Sequence, residues 1–334
     1  MDSAAAGPDS VLEIGHAPFL ARCRPDIARF VAVGTRKAAP EARLVIAGPG
    51  APARLPALAR LLDDPALRLV ACRIHHRPGT AWRLVAALLR RTCRVPIVLL
   101  DFEDEDTLHH AHRRLAVRAH RIFKRELPTD RWRLMRRMPP TPMNEARLRS
   151  DPGARAIVAA LRPLPLGLPF GWTPTAVAPK TTDVFFAGEI AGGAWPRERA
   201  AAELRALAAE GIALDMPQER LPRAEFDRRM AQAQLAWSPA GFGWHCFRHA
   251  EAAAAGAVPL MPYPTVETAA GFVHGTTALF YDPRPGGLAE AVRAALADPP
   301  RLEGIAAAAR AHALACLTPE AVAARVLAES AADR

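Results

Sequence analysis

Short apolar runs alternate with amphipathic stretches along most of this chain. In the first half, the runs Val11–Ile14, Leu44–Ala47, Leu67–Ile74 and Val95–Leu100 have the length of buried strands. Between them, helical spacing predicts helices over Pro25–Lys37, Ala53–Leu62 and Thr80–Arg91. Strands that alternate with helices of this length imply parallel pairing, and so an α/β, doubly wound, Rossmann-like sheet. From Leu127 to Pro179 the pattern breaks under dense prolines, which suits a connection and predicts a domain boundary near Gly167 to Pro179.

The alternation then restarts. Strands are predicted at Asp183–Phe186, Ile212–Leu214 and Gln234–Trp237, with helices over Pro196–Ala209 and Pro222–Ala233. A Gly-rich turn follows, then a helix opening near His245, a strand from Ala257, a strand at Ala278–Tyr281 and a helix over Pro285–Ala297. Thr318-Pro319-Glu320 reads as a helix start, with a cap, a proline at the first position and an early acid. A chain of 334 residues exceeds one ordinary domain. Its organisation is therefore expected as α/β domains over residues 1–170 and 171–317, with 318–334 a terminal helix.

Composition adds little and excludes some classes. Apolar content of 50% and charged content of 23% are those of a soluble globular protein. The net charge is +10, but only Lys37, Lys124 and Lys180 are lysines. An arginine excess of this kind fits a GC-rich coding sequence as well as an anionic partner, so the charge alone is weak evidence. The five cysteines are scattered without a C-x-x-C pair, which predicts neither zinc nor a disulfide framework. No signal-peptide pattern opens the chain and no apolar run nears the ~20 residues that span a bilayer. A cytoplasmic location is the expectation.

The densest chemistry lies in Ser238-Pro-Ala-Gly-Phe-Gly-Trp-His-Cys-Phe-Arg-His-Ala-Glu-Ala-Ala-Ala-Ala-Gly-Ala-Val-Pro-Leu260. Gly241 and Gly243 let the backbone approach a ligand, and free N–H groups at the helix start attract phosphate. Arg248 and Glu251 stand one turn apart and share a face. Such a helix offers dipole and arginine to a diphosphate and a carboxylate to a sugar hydroxyl. The bland alternative is a surface ion pair between the two, worth about 0–1 kcal/mol. Ser238, Trp244 and His245 complete the turn; the two rings have a base or sugar to contact, or a neighbouring loop to pack on.

These residues resemble the donor-binding helix of exostosin-like and group-1 glycosyltransferases, in which Arg-x-x-Glu-Ala is followed by small residues, Gly, an apolar residue and Pro. The resemblance implies a GT-B-like pair of domains facing a cleft, the first acceptor-side and the second binding a nucleotide sugar. It implies ribose contact for Glu251 and diphosphate contact for Arg248. Many group-1 enzymes carry a second Glu eight residues earlier, where this chain has Gly243. That departure, together with the exostosin-like pattern, implies an inverting transfer. Lys180-Thr-Thr-Asp-Val-Phe-Phe-Ala-Gly188, followed by Arg197, resembles the opening of the second domain in bacterial members. Gly188 is then expected near the donor phosphates with Arg197 as counter-charge, the plain alternative being a tight turn before a solvated arginine. With those charges met by the helix and arginines, neither a metal nor another cofactor is expected.

A second group of candidates lies in the first half. Asp101-Phe-Glu-Asp-Glu-Asp106 follows a predicted strand at its carboxyl end, where open α/β sheets bind ligands. Three readings are open: Asp101 or Glu103 as a general base, Asp104 and Asp106 as metal ligands of a GT-A-type enzyme, or a cap on a helix from Thr107. Ile122-Phe-Lys-Arg-Glu-Leu127 resembles a segment of the same bacterial enzymes and would bring Lys124 and Arg125 toward the cleft; exposed charge on an edge strand is the plainer account. His16, after the first strand, is a further candidate base, whereas His109, His110 and His112 lack the zinc-helix spacing and read as solvated. Seven arginines from Arg125 to Arg149 fit peripheral contact with an anionic membrane surface. No nucleic-acid-binding motif is present. The acceptor, whether saccharide, lipid-linked or protein, is not specified by these residues, and a non-catalytic binding or scaffold protein remains a third class.

Overall fold

The computed structural model describes residues 12–14, 44–47, 55–65, 67, 69–74, 80–136, 144–169, 171–190 and 195–331. The expected helix Pro25–Lys37, the candidate base His16 and Cys23 lie outside them. Two compact units are formed, Met1–Leu164 with Pro319–Arg334, and Pro165–Thr318.

The first unit is built on six parallel strands, β1 (Leu12–Ile14), β2 (Leu44–Ala47), β3 (Leu69–Ile74), β4 (Ile97–Asp101), β5 (Arg121–Lys124) and β6 (Leu161–Pro163). They lie in the sheet in chain order, β1 to β6, without a reversal. This corrects the doubly wound expectation for the first unit. Each crossover steps to the next strand in the same direction, so right-handed connections keep their helices on one face. The alternation of β3 and β4 displays the result. Val70, Cys72, Ile74, Ile97 and Leu99 pack with residues of the Leu55–Leu62, Thr80–Thr92 and Pro152–Ala160 helices. Leu69, Ala71, Val98 and Leu100 point the other way, where they meet Phe123, Leu164, Val322 and Val326. The cover on that face is the Pro319–Ala331 helix, the last element of the chain.

The second unit holds β7 (Thr182–Phe185), β8 (Leu214–Asp215), β9 (Ala233–Trp237), β10 (Val258–Pro262) and β11 (Leu279–Tyr281), all parallel, in the order β11-β10-β9-β7-β8. The chain leaves β7 to one side for β8, then crosses back to β9 on the other. This unit is doubly wound, and its order reverses between β7 and β9. Helices Trp195–Leu207 and Gly287–Leu296 cover one face through Leu204, Leu207, Leu288 and Val292. The other face is covered by Arg223–Ala231 and Phe247–Ala255.

Phe247–Ala255 is buried from His249 to Ala255. Its Ala252 and Ala255 touch the sheet, while Ala250, Ala253 and Ala254 meet Ala309 and Ala313 of the Pro299–Cys316 helix. Side chains no larger than methyl let both neighbours approach the backbone closely, which explains the alanine run. Two cations hold its carboxyl end: Lys180 Nζ donates to Gly256 O at 2.6 Å and Arg310 donates to Ala254 O. Positive charge there opposes the helix dipole's negative end.

Val322 is fully buried under the sheet of the first unit. Val322→Ala removes about two methylene equivalents and is expected to lower the stability of that unit by about 2 kcal/mol in urea unfolding.

Candidate functional site

Ligands of open α/β sheets bind outside the carboxyl ends of strands where the strand order reverses. In the second unit that place is fixed by β7 and β9. Phe186-Ala187-Gly188 leaves β7 there, and the Ser238–Cys246 turn leaves β9 and enters the Phe247–Ala255 helix. Two arginines converge on it. Arg197 donates from Nε to Ala240 O at 2.8 Å and from Nη1 to Glu189 O at 3.1 Å, tying the two turns together. Arg248, in the first helical turn, donates from Nη2 to Ala187 O at 2.9 Å and lies over the Phe186 ring at 4.8 Å.

Neither guanidinium has a carboxylate ion-pair partner among the described residues. Burial, then the neighbouring Arg248 charge, pulls Arg197 below its ordinary pKa. The buried Nε of Arg248 has no hydrogen-bond partner. The glycines make the approach possible. A Cβ at Gly188 would stand 2.6 Å from Arg248 Nη2, and one at Gly241 would stand 3.2 Å from Arg197 Nη2. The result is a half-buried pair of like charges beside a helix N-terminus, an arrangement that favours a polyanion.

Beneath the turn is a polar knot. Ser238, fully buried, shares a proton with His249 Nδ1 at 2.6 Å, and His249 Nε2 lies 3.0 Å from Trp244 O. Cys246, the residue capping the helix, lies 3.4 Å from Ser238 Oγ and 3.8 Å from His249 Nδ1. Burial disfavours its thiolate, but His249, Arg248 and Ser238 together hold the thiol well below the ordinary cysteine range. Trp244 is buried among Met261, Val266 and Ala278 and donates to Pro262 O at 3.1 Å. It supports the turn and is not open to stack on a ligand. His245 is also buried, edge-on to Trp244 at 5.0 Å. Gly243 accepts from Gly241 N at 2.8 Å and closes the turn.

Glu251 corrects one expectation of the sequence. It makes no pair with Arg248; its Oε1 accepts from Arg223 Nη1 at 2.6 Å, from the start of the preceding helix. Arg223 escaped sequence reasoning because it lies on another helix, far along the chain. Ser238, expected among the donor-binding residues of the turn, is instead fully buried on His249, which no sequence pattern singled out.

The acidic run of the first unit is also different from its expectations. Asp101 and Lys124 are register partners on β4 and β5, and their side chains form an ion pair at 3.1 Å with 5% and 0% exposure. Burial pushes the Asp101 carboxyl up, while Lys124 and the Glu103 N–H pull it back. A carboxylate so enclosed is an ion-pair partner and not an accessible base. Lys124 does not face an open edge, because β5 lies between β4 and β6. Arg125 and Glu126 are buried too, and Arg125 reaches Asp104 at 2.6 Å and Glu126 at 3.3 Å. Asp106 faces Arg133 at 3.3 Å. No helix starts at Thr107; bends lead to a short helical turn at His110–His112. The run is therefore held by cations and not by a helix dipole. Glu103 remains half-buried. His112, expected in solvent, is buried against Trp82 at 5.4 Å. Among the described residues, no group of three or more His, Cys, Asp or Glu is placed to hold a metal ion. No described helix is long and apolar enough to cross a membrane.

Residues 178–328 match the profile of a family described as glycosyl transferase-like, and the match supports a transferase enzyme. No curated protein matches the chain in sequence. Solved structures share its fold. A glycosyltransferase from Rickettsia africae ESF-5 superimposes with a TM-score of 0.57 at 8% identity, over 92% of this chain and 95% of its own. Anabaena Alr3699/HepE, solved with UDP, gives 0.54 at 13% identity over 93% and 97%. A UDP-forming α,α-trehalose-phosphate synthase from Burkholderia vietnamiensis gives 0.50 at 12% identity over 92% and 80%.

Two measurements test these assignments. Asp101→Asn leaves the Lys124 ammonium buried without its partner and is expected to cost about 3–5 kcal/mol in chemical unfolding. Adding Lys124→Met should restore a large part of that loss. For Cys246, which lines a small pocket with His245, His249 and Thr268, alkylation by iodoacetamide should persist well below the ordinary thiol pKa of about 8.5. Peptide mass spectrometry across pH reads it, with Cys246→Ser as the blank.

Proposed function

We propose that this protein transfers a sugar from a nucleoside-diphosphate sugar, bound by the second unit of a GT-B-type pair, to an acceptor hydroxyl. The observation that carries this reading is the pair of guanidiniums of Arg197 and Arg248 at the sheet's reversal point, neither ion-paired to a carboxylate among the described residues. Between them the diphosphate finds two charges, the Gly188 and Gly241 backbones and the start of the Phe247–Ala255 helix. Glu251 takes the ribose hydroxyls, as the resemblance to group-1 and exostosin-like bacterial enzymes implies. UDP in the Anabaena structure and a UDP-forming reaction in the Burkholderia enzyme make uridine diphosphate the first nucleotide to test.

In the transfer, the acceptor oxygen attacks the anomeric carbon as its proton passes to a base. The bond from that carbon to the β-phosphate oxygen breaks, and the diphosphate leaves with the electron pair. Arg197, Arg248 and the helix N-terminus stabilise the charge that develops on it. This provision needs no divalent ion, so the reaction is proposed to be metal-independent, and inverting because Gly243 stands where a second carboxylate would act. With Asp101 held by Lys124, His16 and Glu103 are the residues proposed for the base.

A thermal-shift series with UDP, GDP, ADP, CDP and dTDP tests the donor site. One nucleotide class should stabilise the native protein. A charge-assisted hydrogen bond contributes about 1.5–3 kcal/mol, so Arg248→Ala and Arg197→Ala should each weaken that binding by about tenfold to a hundredfold. Absence of any shift with native protein at millimolar nucleotide would overturn the proposal.

A further inference from the structure

Glu251 is 7% exposed, yet it is a charged group with a single side-chain partner among the described residues. Arg223 Nη1 holds Oε1 at 2.6 Å, and no donor among the described residues bonds Oε2. A buried carboxylate committed by one oxygen only is half of a bidentate arrangement. The free oxygen is left for a donor that the protein itself does not supply.

Arg223 is in turn fixed from other directions. Its Nε donates to Asp227 at 2.8 Å, one helical turn on, and its guanidinium lies 5.4 Å from the centre of the Phe226 ring. Phe226 packs edge-on against Phe185 of β7 at 5.7 Å, so the clamp is referred back to the sheet strand that starts the phosphate turn. Pro222 immediately precedes the helix and sets where Arg223 begins it. With Nε committed to Asp227, the planar guanidinium is held in one orientation as its Nη1 meets Glu251, which a lysine's rotating ammonium would not be.

We infer that Arg223 is a positioning residue for the donor: it orients Glu251 so that Oε2 faces the ribose hydroxyls of the bound nucleotide. The inference rests on the ribose role proposed above for Glu251 and extends it to a residue on a different helix. Arg223 touches no part of the nucleotide; it acts through the carboxylate. Losing it frees Glu251 to turn within its pocket and leaves that charge uncompensated, so the cost falls on ribose recognition and not on the phosphates held by Arg197 and Arg248.

The test compares UDP with 2′,3′-dideoxy-UDP by calorimetry on the full chain. The native protein should prefer UDP by about tenfold, the size of a hydrogen bond to a charged group. Arg223→Gln and Arg223→Ala should reduce UDP affinity to the level of the dideoxy nucleotide and leave the latter's own affinity within about twofold. Arg223→Lys should recover part of the preference. Asp227→Ala, which removes the other arm of the clamp but leaves the Arg223–Glu251 contact, should keep most of it. In the double variant with Glu251→Ala, the Arg223 effect should vanish, as coupling through one carboxylate requires. A full preference for UDP in both Arg223→Gln and Arg223→Ala overturns the inference while leaving the donor site in place. Native protein that binds both nucleotides equally removes the ribose role of Glu251, and the inference falls with it. Native protein that binds neither removes the donor reading itself.

Discussion

The second unit depends on burying a nine-residue helix on nearly all sides while its first turn stays beside an open crevice. Only alanines permit this. Larger side chains on Phe247–Ala255 would push it from the sheet on one side or from the Pro299–Cys316 helix on the other. Once buried, the helix cannot tilt to suit a ligand, so its N-terminus and Arg248 are held in place by packing. Lys180 and Arg310 secure the opposite end by binding its carbonyls. The crevice inherits this rigidity, because Arg248 meets the β7 turn and Arg197 joins that turn to the one after β9. Preorganised charge of this kind avoids reorganisation when a leaving group develops its own.

Charge is managed in opposite ways in the two units. In the first, the carboxylates Asp101, Asp104 and Asp106 each face a cation, Lys124, Arg125 and Arg133 respectively. The buried Asp101–Lys124 pair stabilises little by itself, but removing one member leaves an uncompensated ion. In the second, Arg197 and Arg248 converge on one turn, and neither pairs with a carboxylate among the described residues. Like charges held this near each other disfavour one another, and that is the kind of arrangement a polyanion relieves. Rows of charge therefore read alike along a chain and differ in meaning according to whether the partner is inside the molecule.

Much of the element order was legible because it depends on local periodicity. The predicted strands at Asp183–Phe186 and Gln234–Trp237 fall within a residue of β7 and β9, and the helix expected near His245 begins at Phe247. The errors have a common origin. Lys124 and Arg125 looked like exposed charge on an edge because consecutive charges rarely enter a core, and only the strands on both sides of β5 show why Lys124 does. For Trp244 stacking and packing were both open, and the apolar residues that decide for packing come from β10 and beyond. Arg248 and Glu251 were placed on one face correctly as to spacing, yet each found its partner elsewhere.

By itself, the sequence determined where strands and helices lie, that a glycine turn precedes an arginine-bearing helix, and that this helix is lined with small residues. These are properties of neighbours within a few positions, set by backbone sterics and side-chain size. Tertiary structure alone decided the strand order: straight in the first unit, reversed between β7 and β9 in the second. It also decided the partners of every buried charge, from Asp101 with Lys124 to Glu251 with Arg223. Strand order depends on which side each crossover takes. A buried ion, for its part, is matched across space to whatever counter-charge packing brings within reach. Neither leaves a periodic trace in the chain.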